Sequence, residues 1–244
     1  MNRPSPDLLA PERAPPALRT AAEINPVAKS WYAALGRRMM TRWLLKMATT
    51  AVGIASFFPA YFWLMTHAAP RARVMPLLFV DRWIALSEPA LLLYASLWLY
   101  VSLPAAFGKN ALALLRYGVA TGVMAVIGFA IFWIAPTTVP TFPVDWSLYP
   151  SLQFLKSADA AGNAFPSLHV SFAVLACTVL AGQLRAVGAP IWVRAANVAW
   201  AVGIVYSTLA TRQHVMLDVL GGLLLGGFCG AALHIASMGQ ETSD

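Results

Sequence analysis

At 244 residues the chain has the length of one or two soluble domains, yet 59% of it is hydrophobic and only 11% is charged. Water-facing globules carry about 25% charged residues, so this chain cannot coat one, and a mean hydropathy of +0.65 excludes disorder, collagen and a disulfide scaffold. The net charge of +7 does not point to nucleic acid, because eight of the 17 basic residues crowd into the first 46 positions, where they report orientation and contact with anionic lipid.

In chain order, residues 1–26 hold six prolines and no apolar core, so they read as a flexible tail and not a signal peptide. Residues 27–42 suit a short interfacial helix with Trp31, Tyr32 and Leu35 facing lipid. The expected fold is all-α, a polytopic membrane protein of six transmembrane helices at 43–67, 84–107, 111–135, 167–187, 190–210 and 213–236. Each has about 20 residues or more, enough for a hydrocarbon core of roughly 30 Å, and helices alone pair every backbone group within a lipid-facing segment. Three domains follow: a basic cytoplasmic tail at 1–42, the membrane domain at 43–236, and a short cytoplasmic tail at 237–244. Trp43, Trp63, Trp83, Trp133 and Trp146 read as interface anchors, and Cys177 and Cys229 as small buried hydrophobes.

Basic residues set the topology. The N-terminal segment and the turns near 108–116 and 185–194 hold twelve of the 17, against five (Arg71, Arg73, Arg82, Lys156 and Arg212) on the other side. The richer side is expected to be cytoplasmic. Both termini are then inside, with the loops at 68–83 and 136–166 on the outer, periplasmic or lumenal, face.

Ionisable residues inside spans carry the chemistry, because an unpaired charge at mid-membrane costs at least about 2.5 kcal/mol. His214 and Asp218 head the sixth span at i and i+4, His169 heads the fourth, and Glu88 lies one turn into the second, where a structural ion pair is its expected role. The fourth and sixth spans start on the same side, so both histidines meet at one face. A carboxylate one turn below an imidazole fixes its tautomer and leaves the other nitrogen basic. A nucleophilic histidine beside a proton-giving one is a workable phosphoryl-transfer pair. A His/His/Asp metal site is the competing use of the same ligand types.

The run Asn163-Ala164-Phe165-Pro166-Ser167-Leu168-His169 resembles the second signature of the type 2 phosphatidic acid phosphatase superfamily, usually Pro-Ser-Gly-His. Ser207 followed by His214 and Asp218 resembles its third, Ser-Arg-x5-His-x3-Asp. The Pro-Ser-Leu-His and Thr-Arg-Gln-His runs are most similar to the branch containing inositol phosphorylceramide synthases, and Asp81-Arg82-Trp83-Ile84 with Pro89, Tyr94 and Tyr100 is a weaker echo of it. The resemblance covers about residues 80–235. It implies that His214 forms a phosphohistidine, Asp218 orients it, and His169 protonates the leaving oxygen. Ser167 and neighbouring N–H groups would bind phosphate oxygens, as helix N-termini do, with Asn163 and Ser207 as further substrate-binding candidates. It implies no metal, and no cofactor is expected.

Two departures from the family pattern shape the cation expectations. Thr208 stands where the third signature has Arg, and Arg212, four residues on, is expected to deliver its guanidinium to nearly the same place. Lys109-x6-Arg116 has the spacing of the first signature, but Tyr117 replaces its Pro and both residues open the third span on the cytoplasmic side. They read as positive-inside residues. Arg82, ahead of Lys156, Arg71 and Arg73, is the first candidate for the missing cation.

The expected function is a lipid phosphatase or lipid phosphotransferase acting on a phosphate-bearing membrane lipid in the bilayer, with water or an alcohol as acceptor. The alternatives are a headgroup synthase of the inositol phosphorylceramide synthase kind, or a non-enzymatic transporter or assembly protein.

Overall fold

The computed structural model describes residues 28–158 and 162–241. Among them are nine α-helices: α1 (Ala28–Met40), α2 (Trp43–Ala68), α3 (Ala90–Ala95), α4 (Leu97–Ala106), α5 (Ala111–Ile134), α6 (Pro150–Ala158), α7 (Leu168–Ala186), α8 (Ile191–Ala210) and α9 (Met216–Glu241). Two-residue strands β1 (Arg73–Val74) and β2 (Thr137–Thr138) pair in parallel, Arg73 opposite Thr137. The expected tail at 1–26 lies outside the described residues, as do 242–244. The helical chain continues to Glu241, past the boundary expected at 236.

Five helices are long and apolar enough to cross a bilayer: Trp43–Arg71, Ala111–Ile134, Leu168–Ala186, Ile191–Ala210 and Met216–Ala236. The chain therefore has the build of an integral membrane protein, and large side chains such as Leu44, Val52, Phe62, Val126 and Leu224 stand exposed along these helices. The span expected at 84–107 is different. Its apolar helix covers only Ala90–Ala106 and is interrupted at Ser96. At 1.5 Å per residue it is about 25 Å long. Pro89 disfavours helix in the residue before it, so Glu88 lies outside the helix instead of one turn within a span. Glu88 forms no salt bridge among the described residues.

Helix α7 is central, packing against α4, α5, α8 and α9. Its contact with α9 is set by a stripe of small residues four apart, Gly222, Gly226 and Gly230. A Cβ at Gly222 would sit 2.6 Å from the Ser167 carbonyl oxygen, and one at Gly226 2.5 Å from that of Ser171. Such stripes let two backbones approach closely where apolar burial offers no advantage over lipid. A buried polar chain ties α4, α7 and α8: the Tyr100 hydroxyl donates to Asn197 Oδ1 at 2.6 Å, and Asn197 Nδ2 donates to the Cys177 carbonyl at 3.1 Å. Cys177 and Cys229 are free thiols, Cys229 buried within an apolar cluster.

The first helix corrects one expectation. Leu35 is buried and Trp31 packs with it against the α7–α8 turn, its ring 6.2 Å from that of Trp192. Of the three residues expected to face lipid, only Tyr32 is exposed. The apolar side of α1 is used for protein packing. Buried Lys46 holds that end together, donating to the carbonyls of Arg38 at 2.5 Å and Ala106 at 2.8 Å, near the open C-terminal ends of α1 and α4.

Candidate functional site

The second histidine motif is built at the α8–α9 turn. Helix α8 ends in a Schellman arrangement: Arg212 N–H donates to the Leu209 carbonyl at 3.0 Å, and Gln213 N–H to that of Thr208 at 3.1 Å. Arg212 takes the left-handed position, φ 58°, usually held by glycine. The Thr208 carbonyl also accepts from His214 N–H at 3.1 Å. Helix α9 starts only at Met216, so His214 is in the turn and not on one helical face with Asp218, as the i,i+4 spacing had suggested.

Two carboxylates fix where α9 begins. Asp218 Oδ2 reaches back to accept from Val215 N–H at 2.9 Å, and Asp81 Oδ1 accepts from Met216 N–H at 2.7 Å. Both N–H groups would otherwise be orphan donors of a helix start. Asp218 thereby comes within 3.5 Å of His214 Nδ1, close enough for an ion pair but longer than a well-formed hydrogen bond. The aspartate is fully buried and its Oδ1 has no partner, while His214 is 8% exposed.

His169 enters from the first turn of α7. Its ring stacks on Tyr94 with centroids 4.1 Å apart and meets the edge of Trp98 at 6.0 Å. The Tyr94 hydroxyl lies 3.4 Å from Nδ1, and Nε2 is buried without a partner. The His169 and His214 rings are 6.5 Å apart, centroid to centroid. The two motifs are joined through the backbone, where Ser167 N–H donates to the Asp218 carbonyl at 3.0 Å. Thr137 steadies the approach to α7: its carbonyl accepts from Gly162 and Ala164 N–H, and its hydroxyl from Phe165 N–H.

The remaining candidates are distributed differently. Ser167 is fully buried as the N-cap of α7, its hydroxyl accepting from Val170 N–H at 3.3 Å. Ser207, also fully buried, donates to the Ile204 carbonyl at 2.6 Å and is absorbed by its own helix. The Arg212 guanidinium donates to the carbonyls of Asp81 at 3.0 Å and Ile84 at 2.6 Å, and lies 4.7 Å above the Phe142 ring. The left-handed break at α8 thus sends it to backbone acceptors and an aromatic face, not along a continued helix. Partial burial pushes its pKa below the ordinary value while Asp81 pushes it back up. Arg82 is exposed, and Arg71 lies over Trp133.

A cavity of about 320 Å³ adjoins the turn, lined by residues 138–142, Trp146, Lys156, Asn163, Ala164 and Gln213. His169, His214 and Asp218 flank this cavity in sequence but do not line it. Among the described residues lining it, Lys156 is the cation, with its ammonium 4.9 Å from the Trp146 ring centre and 3.3 Å from the Arg212 carbonyl. Asn163 donates to the Tyr61 hydroxyl and to Met65 Sδ. Gln213 is 5% exposed and its Nε2 has no partner. Among the described residues, no three His, Cys, Asp or Glu side chains group to hold a metal ion.

Lys109 and Arg116 are remote. Leu168 packs against Gly128 on α5, which puts Arg116 about 18 Å further down the helix axis and Lys109 beyond it. Sequence reasoning missed Asp81 as the cap of α9 and Gln213 as a cavity wall. The small-residue spacing of Gly222 and Gly226 was a readable signal for helix contact. Asp81 stood out only within the Asp81-Arg82-Trp83-Ile84 run, and nothing local marked it as a cap, because its partner lies 135 positions away.

Apolar helices long enough to cross a bilayer, with two histidines and a buried aspartate gathered at one end, define an integral membrane protein with a polar site at the helix ends. The family model described as PAP2 superfamily matches residues 109–240, more than half of the chain. The chain belongs to the PAP2 superfamily. No curated protein and no solved structure matches it significantly.

Proposed function

We propose that the protein is a membrane phosphoryl-transfer enzyme acting on a phosphate-bearing lipid through His214. Superfamily membership supports a lipid phosphatase or phosphotransferase type of function. The observation that carries the finer reading is the 6.5 Å spacing of the His169 and His214 rings, with Asp218 3.5 Å from His214 Nδ1.

In this reading His214 Nε2 attacks phosphorus and the bond from phosphorus to the leaving oxygen breaks. His169 gives that oxygen its proton. Water then attacks the phosphohistidine, the P–N bond breaks, and the proton lost by water returns to His169. Asp218 steadies the charged imidazole through Nδ1. Ahead of the capped Val170 N–H, the N–H groups of Leu168 and His169 have no acceptor within the helix, and such groups favour an anion. Lys156, and not Arg82 or Arg212, is the cation we assign to the substrate's negative charge, because it lines the cavity beside the turn.

The cavity favours a second reading, transfer to an alcohol in place of water, since it offers about 320 Å³ of space with mixed polar and apolar walls beside Gln213, the residue before His214. Placement of both termini in the cytoplasm, with the site at the outer face, follows from the basic residues clustered before α2. The Ala90–Ala106 stretch serves as the sixth crossing in this arrangement.

The test is phosphate release from a panel of lipid phosphates, with and without alcohol acceptors, by the wild type and by His214→Ala and His169→Ala. Both variants should lose release by about 100-fold or more. Undiminished release by His214→Ala would refute the assignment.

A further inference from the structure

Residues 77–84 form a strap with two unlike faces. One face is apolar and open. Leu77, Phe79, Val80 and Trp83 are exposed, Phe79 at 67% and Trp83 at 75%, and those two rings stand 4.7 Å apart. The other face is polar and fully engaged. Asp81, 4% exposed, accepts from Met216 N–H through Oδ1 and from Leu78 N–H through Oδ2, each at 2.7 Å. Its carbonyl and that of Ile84 receive the Arg212 guanidinium, and just beyond the strap Ser87 N–H donates to the Ala210 carbonyl at 2.9 Å. These bonds surround the turn that carries His214.

The surroundings identify what covers the open face. The strap follows β1 at the end of the bundle where Trp63 of α2 and Trp133 of α5 stack, 5.6 Å apart. Arg82 is exposed between the strap's aromatic residues. Aromatic rings with a flanking Arg, level with the tips of bilayer-spanning helices, are the composition of a membrane–water interface.

We propose that this strap seats its apolar face in the lipid headgroup layer and, through Asp81, holds the His214 turn in register. Asp81 is then a positioning residue, and lipid contact at Phe79 and Trp83 sets the geometry of the site. Its functional meaning rests on the reading of His214 as nucleophile; the mechanical coupling does not.

The experiment uses the full chain in phosphatidylcholine/phosphatidylglycerol nanodiscs. Phosphatidylcholine brominated near the headgroup should quench wild-type tryptophan emission more than that of Trp83→Phe. Equal quenching would take the face out of the lipid layer and overturn the proposal, as would crosslinking of residue 83 to a second copy. Carbethoxylation of His214 by diethylpyrocarbonate, read by mass spectrometry, reports the turn without any activity. Asp81→Ala and the double variant Phe79→Ser/Trp83→Ser should each speed it about tenfold, the scale of losing a charge-assisted hydrogen bond. Tyr117→Phe, which removes a 2.7 Å bond to the Val101 carbonyl at the far end of the bundle, should leave it unchanged. Unchanged labelling in the strap variants, or an equal rise in Tyr117→Phe, would overturn the coupling. In turnover assays the strap variants should lower kcat with KM nearly constant. A wild type without phosphoryl transfer would remove the functional reading and leave the labelling result to decide the strap.

Discussion

The Ser167 N–H donates to the Asp218 carbonyl at 3.0 Å, binding the first turn of α7 to the first turn of α9. That bond is reachable only because Gly222 and Gly226 let the two backbones close on each other. Gly226→Val should therefore separate the helices, cost about 1–3 kcal/mol of stability by overpacking and depress phosphate release. Gly227→Ala, with open space at its Cβ position, should be close to neutral. Thermal inactivation and turnover measured together check both variants.

Asp218 has two tasks at one oxygen, accepting from Val215 N–H and facing His214 Nδ1. Asp218→Asn keeps the shape but removes the charge that steadies an imidazolium. Turnover should fall about 100-fold or more, with a much smaller change in thermal stability. A variant that unfolds as readily as it loses activity would assign Asp218 to helix capping alone.

Arg212 and Lys156 should separate in assays. Arg212 holds two strap carbonyls, so Arg212→Ala should destabilise the protein by about 1.5–3 kcal/mol. Arg212→Lys should not restore it, because an ammonium lacks the planar fork. Lys156→Met should chiefly raise KM for lipid phosphates, and the rise should shrink as salt screens the wild-type attraction. Kinetics at two ionic strengths distinguish the two roles.

The long apolar runs made five crossings readable, since bilayer thickness fixes a length that composition reports directly. The second span was overextended: Ile84, Ala85 and Leu86 are apolar, but Pro89 and the Ser87 bond to Ala210 keep residues 84–89 out of the helix. Both histidines and Asp218 were legible as a group because the parity of crossings brings their helices to one end. The fate of Arg212 was not, because it depends on a left-handed residue closing α8 and on carbonyls from a distant strap. Trp31 and Leu35 were assigned to lipid since an amphipathic stripe does not reveal whether protein or bilayer covers it.

The central claim is that His214 carries the transferred phosphoryl group, and a trapping measurement tests it most directly. The full chain in nanodiscs is mixed with lipid carrying a ³²P-labelled phosphate, quenched in alkali, and the labelled peptide is located by mass spectrometry. The account predicts acid-labile label on His214, absent in His214→Ala and formed more slowly in His169→Ala. Turnover with label on another residue, or label that persists in His214→Ala, would contradict it.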